Sequence, residues 1–278
     1  MFPFIAALAQ VGGILIDKVI LTRRQVSLHV FVPILFLFLF LSTALLFPSF
    51  GEINERILET RYLLIFGAMI VVAVLWNIFY YQGVQAEKVQ EFELIVMFQP
   101  LLTILLAAIF LENEQNPVLV IVSLIAAASL IIAHINKTHL EISRGSSKLI
   151  LAVILMSVEL ILIKILLEVF SPVALYLIRT GIIFIFFVLL YQPQIKKVAP
   201  QNILLILSSG LLGTAQMVTK FYGFTLYGVV YTSLILILSP ILVYVFSIIF
   251  LHERIRLRTM ISAAVILLCI VYATMIGK

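Results

Sequence analysis

The amino-acid sequence predicts an all-α membrane protein whose ten transmembrane helices form two inverted five-helix repeats. Of its 278 residues, 64% are hydrophobic and only 11% are charged, whereas soluble domains carry about 25% charged residues. The charges lie between apolar runs of about 20 residues, the length that crosses a bilayer core as a helix. A motif in the first half of the chain also returns in the second half.

That motif is a proline inside an apolar run. Pro100 precedes Phe110-Leu111 by ten residues, and 140 positions later Pro240 precedes Phe250-Leu251 by the same distance. A repeat at half the chain length predicts two related halves, which in a membrane protein is typical of a transporter.

The apolar runs predict ten spans, at about residues 2–21, 27–47, 62–81, 92–111, 117–135, 148–170, 172–191, 202–222, 226–251 and 257–276. Helices are expected because backbone groups in lipid must be paired within their own segment, and β-barrel strands would alternate apolar with polar residues. A polar linker at residues 137–145 divides a first repeat, 1–136, from a second, 146–278.

The odd number of helices in each half predicts that the second half enters the membrane in the opposite sense to the first. The loops after the odd-numbered helices carry most of the loop lysines and arginines, including Arg23, Arg24, Lys196, Lys197, Arg254 and Arg256. Basic loops stay in the cytoplasm. We therefore expect a multi-pass protein of the cell (plasma or inner) membrane with both termini outside the cytoplasm.

Several classes of protein are disfavoured by the sequence. The single cysteine, Cys269, leaves no disulfide framework or cysteine-based metal site. The four histidines lack metal-site spacing, and no phosphate-binding loop for ATP is present. We attribute the net charge of +5 to basic loops that set the orientation in the membrane, rather than to nucleic-acid binding. We expect no metal, no cofactor and no enzymatic activity.

With its ten helices, the chain resembles the EamA-like branch of the drug/metabolite transporter superfamily. In that family the fourth helix of each half contains proline and closes on Phe-Leu-x-Glu. Residues 250–253 match this ending as Phe-Leu-His-Glu, whereas residues 110–113 read Phe-Leu-Glu-Asn. Asn113 thus replaces the family's glutamate, and Glu112 and Glu114 flank it.

The resemblance implies a carrier that works by alternating access, with a central cavity lined by helices 1, 3, 4, 6, 8 and 9. It also implies that the fifth and tenth helices pack closely or form a homodimer. Small residues that would suit such packing replace the glycines common in the family at Ser123, Ala126, Ser262 and Ala263.

Polar residues inside spans are the candidates for substrate binding or coupling, since a charge at a helix centre costs about 2.5–3.5 kcal/mol on insertion scales. In helix 1, Gln10, Gly13 and Asp17 fall within a narrow arc. Asp17 is expected either to bind a cation or proton in the cavity or to reach the interface from the helix end.

Helix 6 contains the most charge. Glu159 lies about ten residues inside the span. Two roles are open for it: a proton-coupling group, or the partner of Arg179 of helix 7 in a buried ion pair. Lys164 and Glu168 are four residues apart and are expected to pair with each other.

The two proline helices supply further candidates. Pro100 and Pro240 each free a backbone carbonyl about one turn earlier, so both helices are expected to kink near mid-membrane, either to build a site or for architecture alone. The remaining candidate lining residues are Trp76, Asn77, Tyr80, Glu93, Gln216, Lys220, Ser233 and Tyr244.

These observations favour a secondary-active transporter of a small metabolite, such as an amino acid, working as an exporter with protons as a possible coupling ion. Two alternatives stay open. One is a lipid-translocating or accessory membrane protein on the same scaffold, and the other is a membrane-embedded lipid-modifying enzyme.

Overall fold

A computed structural model describes residues 1–24, 26–86, 95–134, 144–193, 199–242 and 257–276. The α-helices in chain order are α1 Phe2–Lys18, α2 Leu28–Phe50, α3 Thr60–Ala86, α4 Phe98–Phe110, α5 Pro117–His134, α6 Arg144–Leu166, α7 Pro172–Tyr191, α8 Pro200–Tyr227, α9 Val229–Leu236 and α10 Leu257–Ile276. The described residues contain no strand, and their one β-bridge joins Ile53 to Phe170. The all-α prediction is confirmed for this part of the chain.

The helices have the composition of membrane spans. Six of them are long and apolar enough to cross a bilayer, and four shorter apolar helices accompany them, at Phe98–Phe110, Pro117–Ala133, Val229–Leu242 and Met260–Met275. The described helices therefore coincide in number and order with the ten predicted spans. The inverted relation of the two halves stays a prediction.

One compact unit comprises Met1–Ile70 and Ile165–Tyr222. In it α2 packs along α7, with the rings of Phe36 and Phe187 5.6 Å apart. Gly210 of α8 lies so close to α2 that an added Cβ would be 2.7 Å from Phe38 Cβ. Glycine at this position therefore permits the close approach of two helices.

The loops at one end of this unit are joined by backbone hydrogen bonds. Asn54 N–H donates to Val169 O (2.8 Å), and Ser171 N–H donates to Glu52 O (2.9 Å). The Ser171 hydroxyl accepts from Ala174 N–H and so caps α7. The α2–α3 loop and the α6–α7 loop are thus held together although they come from different halves of the chain.

The other compact unit comprises Val71–Lys164 and Gly223–Lys278. Here α5 packs on α10 and α4 packs on α9. The hydroxyls of Ser129 and Ser262 lie 3.2 Å apart between α5 and α10, and Ser123 and Ala126 are fully buried. Each of these pairs, like α2 with α7, joins a helix to its counterpart five places later.

Both proline helices are interrupted three residues before their proline. The helical pattern breaks at Met97, before Pro100, and again at Ile237, before Pro240. The two residues have nearly the same backbone angles, φ −61° and ψ −19° at Met97 and φ −59° and ψ −20° at Ile237. The sequence repeat of 140 positions is therefore matched by a local repeat in backbone geometry.

Candidate functional site

The most buried candidate carboxylate is Glu159 in α6, with 2% of its surface exposed. The indole Nε1–H of Trp76, in α3, donates a hydrogen bond of 2.7 Å to Glu159 Oε2. A charge in a spanning helix is tolerated when it faces protein groups or water rather than lipid. The Trp76 bond shows that this carboxylate faces a polar partner on a neighbouring helix.

Aromatic rings continue from this contact along α3. Tyr80 lies one turn after Trp76, and their ring centroids are 5.9 Å apart in an edge-to-face arrangement. Tyr80 also meets Tyr81 edge to face at 5.3 Å. An indole face beside a carboxylate is a combination that suits a cation.

Asn77 adds an unsatisfied acceptor on the same helix. It is 1% exposed, and its Nδ2–H donates to Ala73 O at 2.7 Å. Its Oδ1 atom has no hydrogen-bond partner among the described residues. Because a buried polar atom without a partner is costly, such an atom indicates a place for water or a ligand donor.

The candidates of helix 1 lie in the unit formed by Met1–Ile70 and Ile165–Tyr222. Asp17 Oδ1 accepts a hydrogen bond of 2.5 Å from the hydroxyl of Ser209 in α8. On the same helix Gly13 is buried, yet an added Cβ there would have no heavy atom within 4 Å. A π-helical segment, Val19–Arg23, follows directly, and such segments are frequent at functional sites.

Lys164 and Glu168 were expected to pair because of their spacing, but each has a different partner in the structure. The helix α6 ends at Leu166, so the four-residue helical relation does not extend to Glu168. Lys164 Nζ instead donates to Phe224 O (2.5 Å), and Glu168 Oε2 accepts from Tyr62 O–H (2.8 Å).

A hydroxyl network follows the break in α4. The side chains of Thr103 and Ser157 both donate to the carbonyl of Gln99, at 2.9 and 3.3 Å, and their oxygens are 3.2 Å apart. Ser157 belongs to α6, so this network joins α4 to the helix that carries Glu159. The sequence analysis did not select these hydroxyls, because serine and threonine are common in apolar helices.

The remaining candidates differ in exposure. Arg179 and Lys220 are buried at 3% and 7% exposure, so Lys220 is enclosed by protein rather than extended from a helix end. Ser233 is buried, whereas Gln10, Pro100, Gln216 and Pro240 are half-buried. Glu93 and Tyr244 lie outside the described residues.

Comparison with known proteins agrees with this architecture. Residues 143–275 match the EamA-like transporter family. The match begins just before α6 and ends within α10, and it confirms the family resemblance drawn from the sequence. The EamA-like match and the apolar helices support transmembrane transport by a multi-pass membrane protein.

The fold is also that of a known structure. A solved structure described as "Crystal structure of protein" is similar to this chain with a TM-score of 0.78 and 15% sequence identity, over 99% of this chain and 97% of the other. At this identity the likeness shows the fold alone. No curated protein matches the sequence.

Proposed function

We propose that the protein is a secondary-active carrier that exports a small metabolite across the cell membrane by alternating access. The observation that carries the proposal is the hydrogen bond between Trp76 and the buried carboxylate of Glu159. Two spanning helices, α3 and α6, thereby place a charged group and an aromatic face together inside the protein, where a cargo or a proton can be bound.

The chemistry of this cluster favours a cargo with a protonated amine. The Glu159 carboxylate is an acceptor, and the Trp76 and Tyr80 rings attract cations. An amino acid or an amine carries such a protonated group.

Proton coupling is the second part of the proposal. Glu159 and Asp17 are carboxylates in spanning helices, and each has a neutral hydrogen-bond donor, Trp76 or Ser209. Ionisable groups inside spanning helices are the groups that commonly relay protons in transporters. Either carboxylate can exchange its proton for a cationic cargo on this basis.

The test is uptake and efflux of a labelled panel of amino acids and amines in proteoliposomes, with and without a pH gradient. Wild type is compared with Glu159→Gln, and Glu112→Gln is the matched control because Glu112 is exposed at the end of α4. We expect gradient-driven flux in wild type and control and its loss in Glu159→Gln. Flux that is insensitive to both gradient and mutation would contradict proton coupling through Glu159.

The lipid-translocating alternative is tested in the same vesicles. A fluorescent phospholipid in the inner leaflet is protected from an added quencher unless the protein moves lipid. A carrier leaves this protection unchanged. Loss of protection together with absence of flux for every water-soluble compound would replace the carrier proposal with the lipid one.

The orientation belongs to the proposal as well. The positive-inside rule, applied to the basic loops of the sequence, favours both termini outside the cytoplasm. A cysteine introduced after Met1 in a Cys269→Ala background should react with an impermeant maleimide in intact cells. Reaction only after lysis would reverse the orientation without affecting the carrier proposal.

A further inference from the structure

A second buried carboxylate, Glu114, connects the two proline helices. Glu114 lies in a short 3₁₀ turn, Glu112–Glu114, immediately after α4, and it is 5% exposed. Its Oε1 accepts from Val229 N–H at 2.6 Å, and its Oε2 accepts from Val230 N–H at 3.1 Å. Both carboxylate oxygens are therefore bound to the first turn of α9, 115 residues away in the chain.

The backbone before α9 is shaped for this contact. Gly228 has φ +87°, a conformation that side-chain-bearing residues rarely adopt. A Cβ at Gly228 would lie 2.5 Å from Glu114 Oε1. Glycine is thus required both for the turn and for the space that the carboxylate occupies.

The interaction is electrostatically favourable without any cation. The first N–H groups of a helix have no partner within the helix, and its N-terminus carries a partial positive charge. Glu114 satisfies two of these groups and places its negative charge at the positive end of α9. The neighbouring Glu112 and Asn113 are exposed and have no such role.

Each joined helix is interrupted at the end away from this contact. Glu114 follows the carboxyl end of α4, whose interruption lies at Met97 before its amino end. Val229 and Val230 begin α9, whose interruption at Ile237 follows its carboxyl end. The helices α4 and α9 also pack against each other between these points.

We propose that Glu114 is a positioning residue that clasps α4 to α9, so that Phe98–Glu114 and Val229–Leu236 move as one block and bend relative to the rest of the chain at Met97 and Ile237. Alternating access requires parts of the protein to move as units. The contact of Glu114 with Val229 and Val230, which we call the clasp, makes one such unit from one helix of each half. It concerns the motion of helices and does not depend on which cargo is carried.

The test is hydrogen–deuterium exchange by mass spectrometry on the purified protein in lipid nanodiscs. In wild type we expect peptides from residues 98–114 and 229–236 to exchange as one cooperative unit with similar protection. In Glu114→Gln, which loses the charge and one of the two acceptors, exchange of both segments should rise about tenfold. Glu112→Gln, two residues away and exposed, should match wild type.

Two further variants keep the test decisive if Glu114→Gln fails to fold. Glu114→Asp retains the charge but shortens the side chain by one methylene, and Gly228→Ala retains the carboxylate but fills its space; both should raise exchange in both segments. A rise confined to residues 229–231 would reduce Glu114 to a local helix cap and overturn the block. Unchanged exchange in every variant would overturn the clasp itself.

Failure of this proposal is separable from failure of the carrier proposal. Exchange behaviour is measured without cargo, so the clasp can be refuted while flux persists. Conversely, the exchange results could be as expected in a protein that shows no measurable flux. The Glu114 contact would then be established, but it would have no role in transport.

Discussion

Glu114 and Glu159 are both buried carboxylates in the same compact unit, at 5% and 2% exposure, but their donors differ in kind. Glu114 is bound through both oxygens by backbone N–H groups at a helix N-terminus. Glu159 Oε2 is bound by the neutral indole of Trp76. Backbone N–H groups at a helix N-terminus are fixed in place and carry a partial positive charge, whereas the indole N–H belongs to a side chain on another helix.

This difference shows that burial alone does not assign a role to a carboxylate in a membrane protein. A carboxylate held by two backbone donors is fixed to the helix that supplies them and can serve as architecture. A carboxylate held by a side-chain donor on a neighbouring helix can change its proton or its partner when that helix moves. We therefore expect Glu114 variants to affect stability and helix motion, and Glu159 variants to affect transport.

The largest expected effect is on transport. Glu159→Gln should lower gradient-driven flux about a hundredfold, because the amide can still accept the Trp76 hydrogen bond but cannot bind and release a proton. Glu114→Gln should alter the rate while leaving its dependence on the pH gradient. Tracer flux at several imposed gradients distinguishes the two, and equal loss of gradient dependence in both variants would remove the contrast between these carboxylates.

The next effect is on stability. Gly228→Ala should lower the free energy of unfolding by about 2–3 kcal/mol, because φ +87° with ψ 168° is a conformation used essentially by glycine and costs other residues about 1–3 kcal/mol, and because the new methyl group displaces Glu114. Gly67→Ala in α3 is the matched control, since an added Cβ there has open space and alanine favours the helix. Melting in detergent measures both, and similar melting temperatures for the two variants would argue against the Glu114 contact.

A third carboxylate sharpens the comparison. Asp17 has a side-chain donor, Ser209, as Glu159 has, so Ser209→Ala should cost about 1–2 kcal/mol of stability and should also change flux. Ser208→Ala is its neighbour and control, because the Ser208 hydroxyl bonds to Leu204 O of its own helix. If Ser209→Ala changes stability but not flux, Asp17 would join Glu114 as an architectural group.

The smallest effect is spectroscopic. Trp76 is the single tryptophan of the chain, so intrinsic fluorescence reports directly on the Glu159 contact. Its emission should shift by a few nanometres, a small change in keeping with one altered hydrogen bond, when Glu159 binds a proton or a cationic cargo. Glu159→Gln should abolish this response and Asp17→Asn should preserve it. A response that survives in Glu159→Gln would show that Trp76 senses some other group.

Much of the fold could be predicted from the sequence because the signals are local. A length of about 20 apolar residues is enough to define a spanning helix, and the prolines at 100 and 240 mark the two helices whose pattern breaks. The candidate residues Asp17, Trp76 and Glu159 were also selected locally, since polar groups in apolar runs are conspicuous.

The partners of those residues were decided by the tertiary structure. Ser209 lies 192 residues from Asp17, and Trp76 lies 83 residues from Glu159, so no helical spacing could pair them. Spacing also misled where it was applied to Lys164 and Glu168, because α6 ends between them. Glu112, Asn113 and Glu114 look equivalent in the sequence. In the structure α4 ends at Phe110 and a 3₁₀ turn follows it, and of the three residues only Glu114 contacts α9. The N–H groups that bind Glu114 become available only when the chain folds and α9 begins at Val229.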